Sequence, residues 1–158
     1  MAKMSFLAEL RKKKKLELVK PSEEIKQSYI QKSESNLVSA KILLGNNKLE
    51  ESVALAYYSM YHFVTALFFK AGIKSENHAA SIILLKDIFG IDNKEILFAK
   101  KERLDKQYYV GFKITKEEVF DGIRKAEIFN GAMNDFISKI TNEAIAKARE
   151  KFNILTEK

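Results

Sequence analysis

Between Leu49 and Ala71 the chain carries apolar residues on almost every side of a helix, and this constrains the fold more than any other feature. One stripe, Leu49, Val53, Ala56, Met60, Val64, Leu67 and Ala71, advances in steps of three and four. A second, Leu55, Tyr58, His62, Ala66 and Phe69, occupies another side, and Gly72 ends the run. A helix that is apolar nearly all round must be central to its domain or must also feed a subunit interface. The uncharged stretch Val53–Phe69 is shorter than the ~20 residues of a spanning helix and carries Tyr57, Tyr58, Ser59, Tyr61, His62 and Thr65. A buried core helix explains it, and no membrane association is expected. The N-terminus, Met1–Leu7, has no apolar run of the secretory kind, so the chain is expected to be cytoplasmic.

The rest of the chain supplies helices to surround that centre. Ser22 caps a helix expected to reach about Leu44, with Glu23 and Glu24 at its positive end. Its stripe is Ile25, Tyr29, Leu37, Ala40 and Leu44, interrupted by a polar middle at Lys32 and Ser33, and Gly45-Asn46-Asn47 stops it. Ile73–His78 reads as a connecting loop. A third helix carries Ala79, Ile82, Ile83, Leu85, Ile88 and Phe89 to Gly90; Asp92 caps a fourth over about 93–109 with Ile96, Leu97, Leu104 and Tyr108. Thr115-Lys-Glu-Glu118 is a capping box opening a last helix with Val119, Ile123, Ala126, Met133, Ile137 and Ile140 inward. Unbroken to Phe152, that helix would exceed ~50 Å, so its final turns are expected to protrude, bend or pack on another chain. One Pro and six Gly in 158 residues are too few turn signals for an all-β sandwich or barrel. The fold class expected is all-α: an antiparallel up-and-down bundle of four to five core helices. Its parts are a basic extension over 1–20, a bundle over 21–141 and a C-terminal helical extension over 142–158.

Charge narrows function without naming it. The net charge is +7, and Lys12-Lys13-Lys14-Lys15 stands in the N-terminal segment between apolar patches. Such a run could track a phosphate backbone or lie solvated outside the core; Pro21 then breaks the pattern. Arginine occurs only at Arg11, Arg103, Arg124 and Arg149, and no Arg/Asn/Gln-rich recognition helix appears, which disfavours sequence-specific DNA reading. No Cys and two His leave no thiolate chemistry, no sulfur-based zinc site and no expected metal or cofactor. The glycines are scattered singly, so no phosphate-cradling loop is present.

Tyr57-Tyr58-Ser-Met-Tyr61-His62 is the most unusual stretch. Its hydroxyls and imidazole suit a pocket for a nucleotide or RNA; they suit equally a core helix whose polar tips find partners at the domain edge. Ala56-Tyr57-Tyr58-Ser59-Met60-Tyr61-His62, followed by Gly72-Ile73-Lys74 and His78, resembles the HEPN family of small helical proteins. Arg103–Tyr109 resembles that family's Arg…Asp-Tyr segment, with Gln107 where an acidic residue often precedes the Tyr. Ala126-Glu127-Ile128-Phe129 resembles its closing helix, so the likeness spans roughly 28–137.

The resemblance implies a bundle that commonly forms a homodimer, often beside a minimal nucleotidyltransferase in toxin–antitoxin operons. Some members are metal-independent ribonucleases, marked by an Arg followed after about four to six residues by a His. Here the window before His62 holds Leu55, Ala56 and Tyr57, and that before His78 holds Ala71, Gly72 and Ile73. The signature is absent. The favoured expectation is a non-catalytic interaction module with nucleotide- or RNA-binding candidates Tyr58, His62, Lys74, His78, Arg103 and Tyr109. The alternative is a ribonuclease in which His62 and His78 move protons and Arg103 or Lys74 supplies charge.

Overall fold

The computed structural model describes residues 2–108 and 113–157. It is 81% helical, with seven helices and one two-stranded sheet. The order is α1 (Ala2–Lys12), β1 (Leu16–Leu18), α2 (Glu23–Gly45), α3 (Leu49–Ala71), β2 (Ile73–Ser75), α4 (His78–Phe89), α5 (Lys94–Tyr108), α6 (Lys116–Lys139) and α7 (Asn142–Thr156). The all-α bundle expected from the periodicity is the fold observed.

Helix α3 is its axis. Helices α2, α5 and α6 pack on its length, and Ala56, Met60, Val64, Leu67 and Ala71 of the first stripe are buried. By length and hydropathy α3 could cross a bilayer, but most of it is buried among its neighbours. The second stripe is only partly covered, and Tyr58, His62 and Phe69 remain half-buried along it.

The polar middle of α2 is an adaptation to this packing. Ser33 is fully buried and donates to the Ser59 carbonyl oxygen at 2.5 Å, while Ser52 donates to the Ala40 carbonyl at 2.7 Å. Asn130 of α6 donates to Ser59 Oγ at 3.2 Å. Small hydroxyl residues let α2 and α3 approach closely with their buried hydroxyls partnered, while Asn130 Oδ1 has no partner among the described residues.

The predicted caps of α2 and α6 form. Ser22 accepts from the Ile25 amide, and the Thr115/Glu118 box is complete in both directions. Some stripe positions lie outside the core: Ile25, Leu97 and Leu104 are exposed.

Both chain ends depart from the sequence expectation. Residues 1–20 are not an extension outside the core, since Leu7 and Leu16 are fully buried. Ile73–Ser75, expected as loop, is the strand that makes this possible: β1 pairs with it antiparallel, Leu16 opposite Ser75 and Leu18 opposite Ile73. The apolar patches on either side of the lysine run are thus a short helix and a short strand, too brief to show a period.

At the other end the long helix breaks. Ile140 is extended, Thr141 accepts from the Ala144 amide as a new N-cap, and α7 returns against α1, α3 and α4. Ala148 and Phe152 are buried there, so residues 142–157 belong to the same core. Arg11 joins the two ends, with Nη1 donating to Asn153 Oδ1 and Thr156 Oγ1 at 2.8 Å each, and its guanidinium 5.1 Å from the Phe152 ring.

Gly72 sits where these parts meet. Its φ of +78° is the left-handed conformation that glycine adopts without steric cost. A Cβ there would lie 2.2 Å from Arg149 Nη1 and 2.5 Å from the Val19 carbonyl oxygen. Arg149 Nη1 donates to the carbonyl oxygens of Val19, Ala71 and Gly72 at 2.8, 3.2 and 2.8 Å. A cation at the C-terminal end of α3 satisfies carbonyls that the helix leaves open.

Candidate functional site

The partly covered side of α3 forms the floor of a groove of about 280 Å³. Tyr58, Tyr61, His62, Thr65 and Phe69 come from α3, Tyr29 and Lys32 from α2, Lys74, Ser75 and Glu76 from β2 and its exit, and His78 from the start of α4. Helical spacing places Tyr58, His62 and Phe69 on one side, and the sharp turn at Gly72 brings β2 and α4 back across it.

His62 Nδ1 lies 2.6 Å from the Tyr58 carbonyl oxygen. A carbonyl only accepts, so Nδ1 carries the proton and Nε2 keeps its lone pair. The Asn36 side-chain amide is 3.4 Å from the same nitrogen, and Tyr29 stacks on the ring at 5.8 Å and 24°. Burial, then the positive charge of Lys32 and the proximity of His78, lower its pKa to about 4, so the imidazole is neutral at pH 7.

His78 stacks on Tyr61 with centroids 3.7 Å apart and planes 13° apart, and its Nδ1 is 2.8 Å from the Tyr57 hydroxyl. Burial pushes the Tyr57 phenol up, so it stays protonated and either donates to a bare Nδ1 or accepts from Nδ1–H, according to the tautomer. Burial, with Arg103 and Lys100 behind it, holds His78 below the usual histidine range. The Tyr61 hydroxyl continues through Ser81 Oγ at 3.0 Å to Ser75 Oγ at 2.7 Å. Asn77 caps α4 by accepting from the Ala80 amide at 2.9 Å, which fixes the turn carrying His78.

Arg103 approaches from α5. Its Nη1 donates to the Tyr58 hydroxyl at 3.2 Å, and its guanidinium carbon lies 5.4 and 5.3 Å from the Tyr57 and Tyr58 rings. Tyr58 therefore sits between the cation and both histidines, its ring 6.3 Å from each imidazole.

Five of the six predicted binding residues thus gather at one place: Tyr58, His62, Lys74 and His78 line the groove, and Arg103 is bonded to Tyr58. Tyr109 and the side chains of Gln107 and Tyr108 lie outside the described residues. Sequence reasoning missed Tyr29 and Lys32, which it placed in the stripe and polar middle of α2. Their signal was their spacing, three residues apart and therefore on one helix face. It missed Ser75 and Ser81, whose roles depend on a strand three residues long. Among the described residues no group of three His, Asp or Glu side chains is placed to hold a metal ion. Chemically, the groove offers aromatic faces, neutral imidazoles and exposed cations.

The HEPN domain model matches residues 26–136. A putative toxin of Methanocaldococcus jannaschii is 30% identical over 110 residues, 65% of this chain and 81% of that protein. A UPF0332 protein of Thermotoga maritima is 29% identical over 127 residues, 75% of this chain and 95% of its own. A UPF0332 protein of Pyrococcus horikoshii is 42% identical over a shorter stretch of 56 residues, 35% of this chain and 39% of that one. The matched region runs from α2 into α6 and contains every element that lines the groove, so the chain belongs to the HEPN domain family.

Proposed function

We propose that the chain is an interaction module acting as one component of a toxin–antitoxin-type pair, and that its groove binds single-stranded RNA or a nucleotide. The observation that carries this is the union of stackable rings and cations: Tyr29, Tyr58 and His62 with Lys32 and Lys74 around one groove. Bases stack on aromatic faces for roughly 1–3 kcal/mol each, and lysines neutralise phosphates. The name of the Methanocaldococcus relative, a putative toxin, supports the first half of the reading.

A homodimer and a minimal nucleotidyltransferase are the partners of this reading, with the cytoplasm as its place. Exposed apolar residues support association: Val38 (56% exposed) and Ile42 (59%) on α2, Phe120 (56%) and Ile128 (70%) on α6. Anisotropy of a labelled oligouridylate tests the groove. Binding is expected to weaken with salt, and Tyr29→Ala with Lys32→Ala and Lys74→Ala should weaken it about tenfold or more. Equal binding by wild type and variant sinks the groove reading. Light scattering at micromolar concentration tests the dimer, which a strict monomer overturns.

A second reading, RNA cleavage, is favoured by the free Nε2 of His62 in a groove that also holds His78 and adjoins Arg103. A neutral imidazole can accept a 2′-hydroxyl proton, and a cation can stabilise charge on phosphorus. RNA left intact by the purified protein removes this reading; cyclic-phosphate ends lost in His62→Ala would install it.

A further inference from the structure

The lysine run is the one sequence motif the groove does not absorb, and the fold puts it beside the groove. Helix α1 ends in a Schellman motif: the Lys14 amide donates to the Arg11 carbonyl at 2.9 Å and the Lys15 amide to the Leu10 carbonyl at 2.8 Å. Lys14 is the left-handed residue of that motif, at φ +60°. The chain then enters β1, and the Glu76 amide donates to the Lys15 carbonyl at 2.9 Å. Glu76, Ser75 and Lys74 form one wall of the groove, so the lysine turn is hydrogen-bonded to that wall.

The charges are arranged outward. Arg11 faces α7 and is engaged there, whereas Lys12, Lys13, Lys14 and Lys15 are all exposed. Among the described residues only Lys13 of the four takes part in an ion pair, with Glu9 at 3.8 Å. On the strands Glu17 lies opposite Lys74, and Glu76 is next to Lys15, so the sheet itself is balanced and the surplus positive charge is in the turn. The negative end of α1 accounts for Arg11 and Lys12 in its last turn, but Lys14 and Lys15 lie past it. At Lys14 backbone preference points to glycine, yet the position carries a charge.

We propose that the Lys12–Lys15 turn binds RNA phosphates and extends the groove past Glu76. This rests on the groove being an RNA site.

The test is anisotropy of a labelled oligouridylate across a salt series, with thermal melts of the same proteins. Lys14→Gly is expected to raise the melting temperature while weakening binding and reducing the salt slope by about 0.7, the value for one single-strand phosphate contact. Joint replacement of Lys12, Lys13 and Lys15 by Ser should reduce the slope by up to about 2 on the same scale. If both variants keep the wild-type slope and affinity, the turn is not a phosphate site and the groove reading stands alone. If turn variants weaken binding and groove variants do not, the groove reading falls, and with it the turn as an extension of the groove. A wild-type protein that binds no RNA overturns both.

Discussion

Arg11 and Arg103 are both cations against aromatic rings, but they stand in regions of opposite character. Arg11 spans two terminal helices, and its Nη1 serves two side-chain acceptors beside the Phe152 ring. Arg103 lies over Tyr57 and Tyr58, its Nη1 bonded to a phenol that opens onto the groove. Arg149, like Arg11, holds the ends of the chain. The same residue type closes the termini at one end and borders the groove at the other. The surrounding acceptors differ: Arg11 and Arg149 meet a side-chain amide, a hydroxyl and backbone carbonyls, whereas Arg103 meets a half-buried phenol beside two neutral imidazoles.

The largest effect expected from breaking this contrast is at the terminal junction. Gly72→Ala sets a Cβ against Arg149 Nη1 and the Val19 carbonyl at positive φ. It should destabilise by about 3 kcal/mol, combining overpacking with left-handed strain. Urea unfolding measures it; a loss under about 1 kcal/mol would mean that β1, β2 and α7 separate easily. Arg11→Ala should follow at about 2 kcal/mol, from two charge-assisted hydrogen bonds and a ring contact. If α1 and α7 contribute nothing to cooperative unfolding, Arg11→Ala will leave the midpoint unchanged.

Helix-level organisation was legible because it rests on local rules. The stripe of α3, the Ser22 cap and the Thr115/Glu118 box are visible in any window of a few turns. The pairing of β1 with β2 was not, because Leu16-Glu17-Leu18 is a strand only when Ile73–Ser75 lies beside it, more than fifty residues away. The site followed the same divide. His62 and Tyr58 declared themselves by sharing a helix with an unusual composition. Tyr29 and Lys32 looked like ordinary positions of α2 until α2 was laid against α3. Arg149 had no local signal, since its three acceptors are carbonyls brought together by tertiary structure.

Acid separates the two regions next. His62 has a folded pKa near 4 against about 6.5 unfolded, and His78 is shifted in the same direction. The unfolded chain therefore binds more protons over that interval, and stability is full above about pH 6.5 and falls as pH drops toward 4. Both rings are partly exposed, so after screening the His62 contribution is about 1–2 kcal/mol. His62→Gln should flatten the profile, leaving the parts due to His78 and, at its acid end, to the lowered carboxyls of Glu23 and Glu118. Urea midpoints from pH 7 to 4 decide it, and an unchanged slope in His62→Gln would place the titration elsewhere.

Arg103 gives the smallest change in stability and the sharpest test of the contrast. Arg103→Ala removes a hydrogen bond to Tyr58 and two ring contacts at a partly exposed site, so the expected loss is about 1 kcal/mol, half that of Arg11→Ala. Under the RNA reading the same change should weaken oligouridylate binding about tenfold, because a cation beside the groove is lost. Arg103→Lys then separates charge from shape. An ammonium keeps the positive charge and loses the planar fork, so binding should stay within about threefold of wild type if Arg103 acts on phosphate through its charge. At Arg11 the corresponding lysine cannot reproduce one guanidinium reaching Asn153, Thr156 and the Phe152 face together, and it should recover little of the lost stability. Equal rescue by lysine at both positions would erase the distinction between a structural and a functional arginine in this fold.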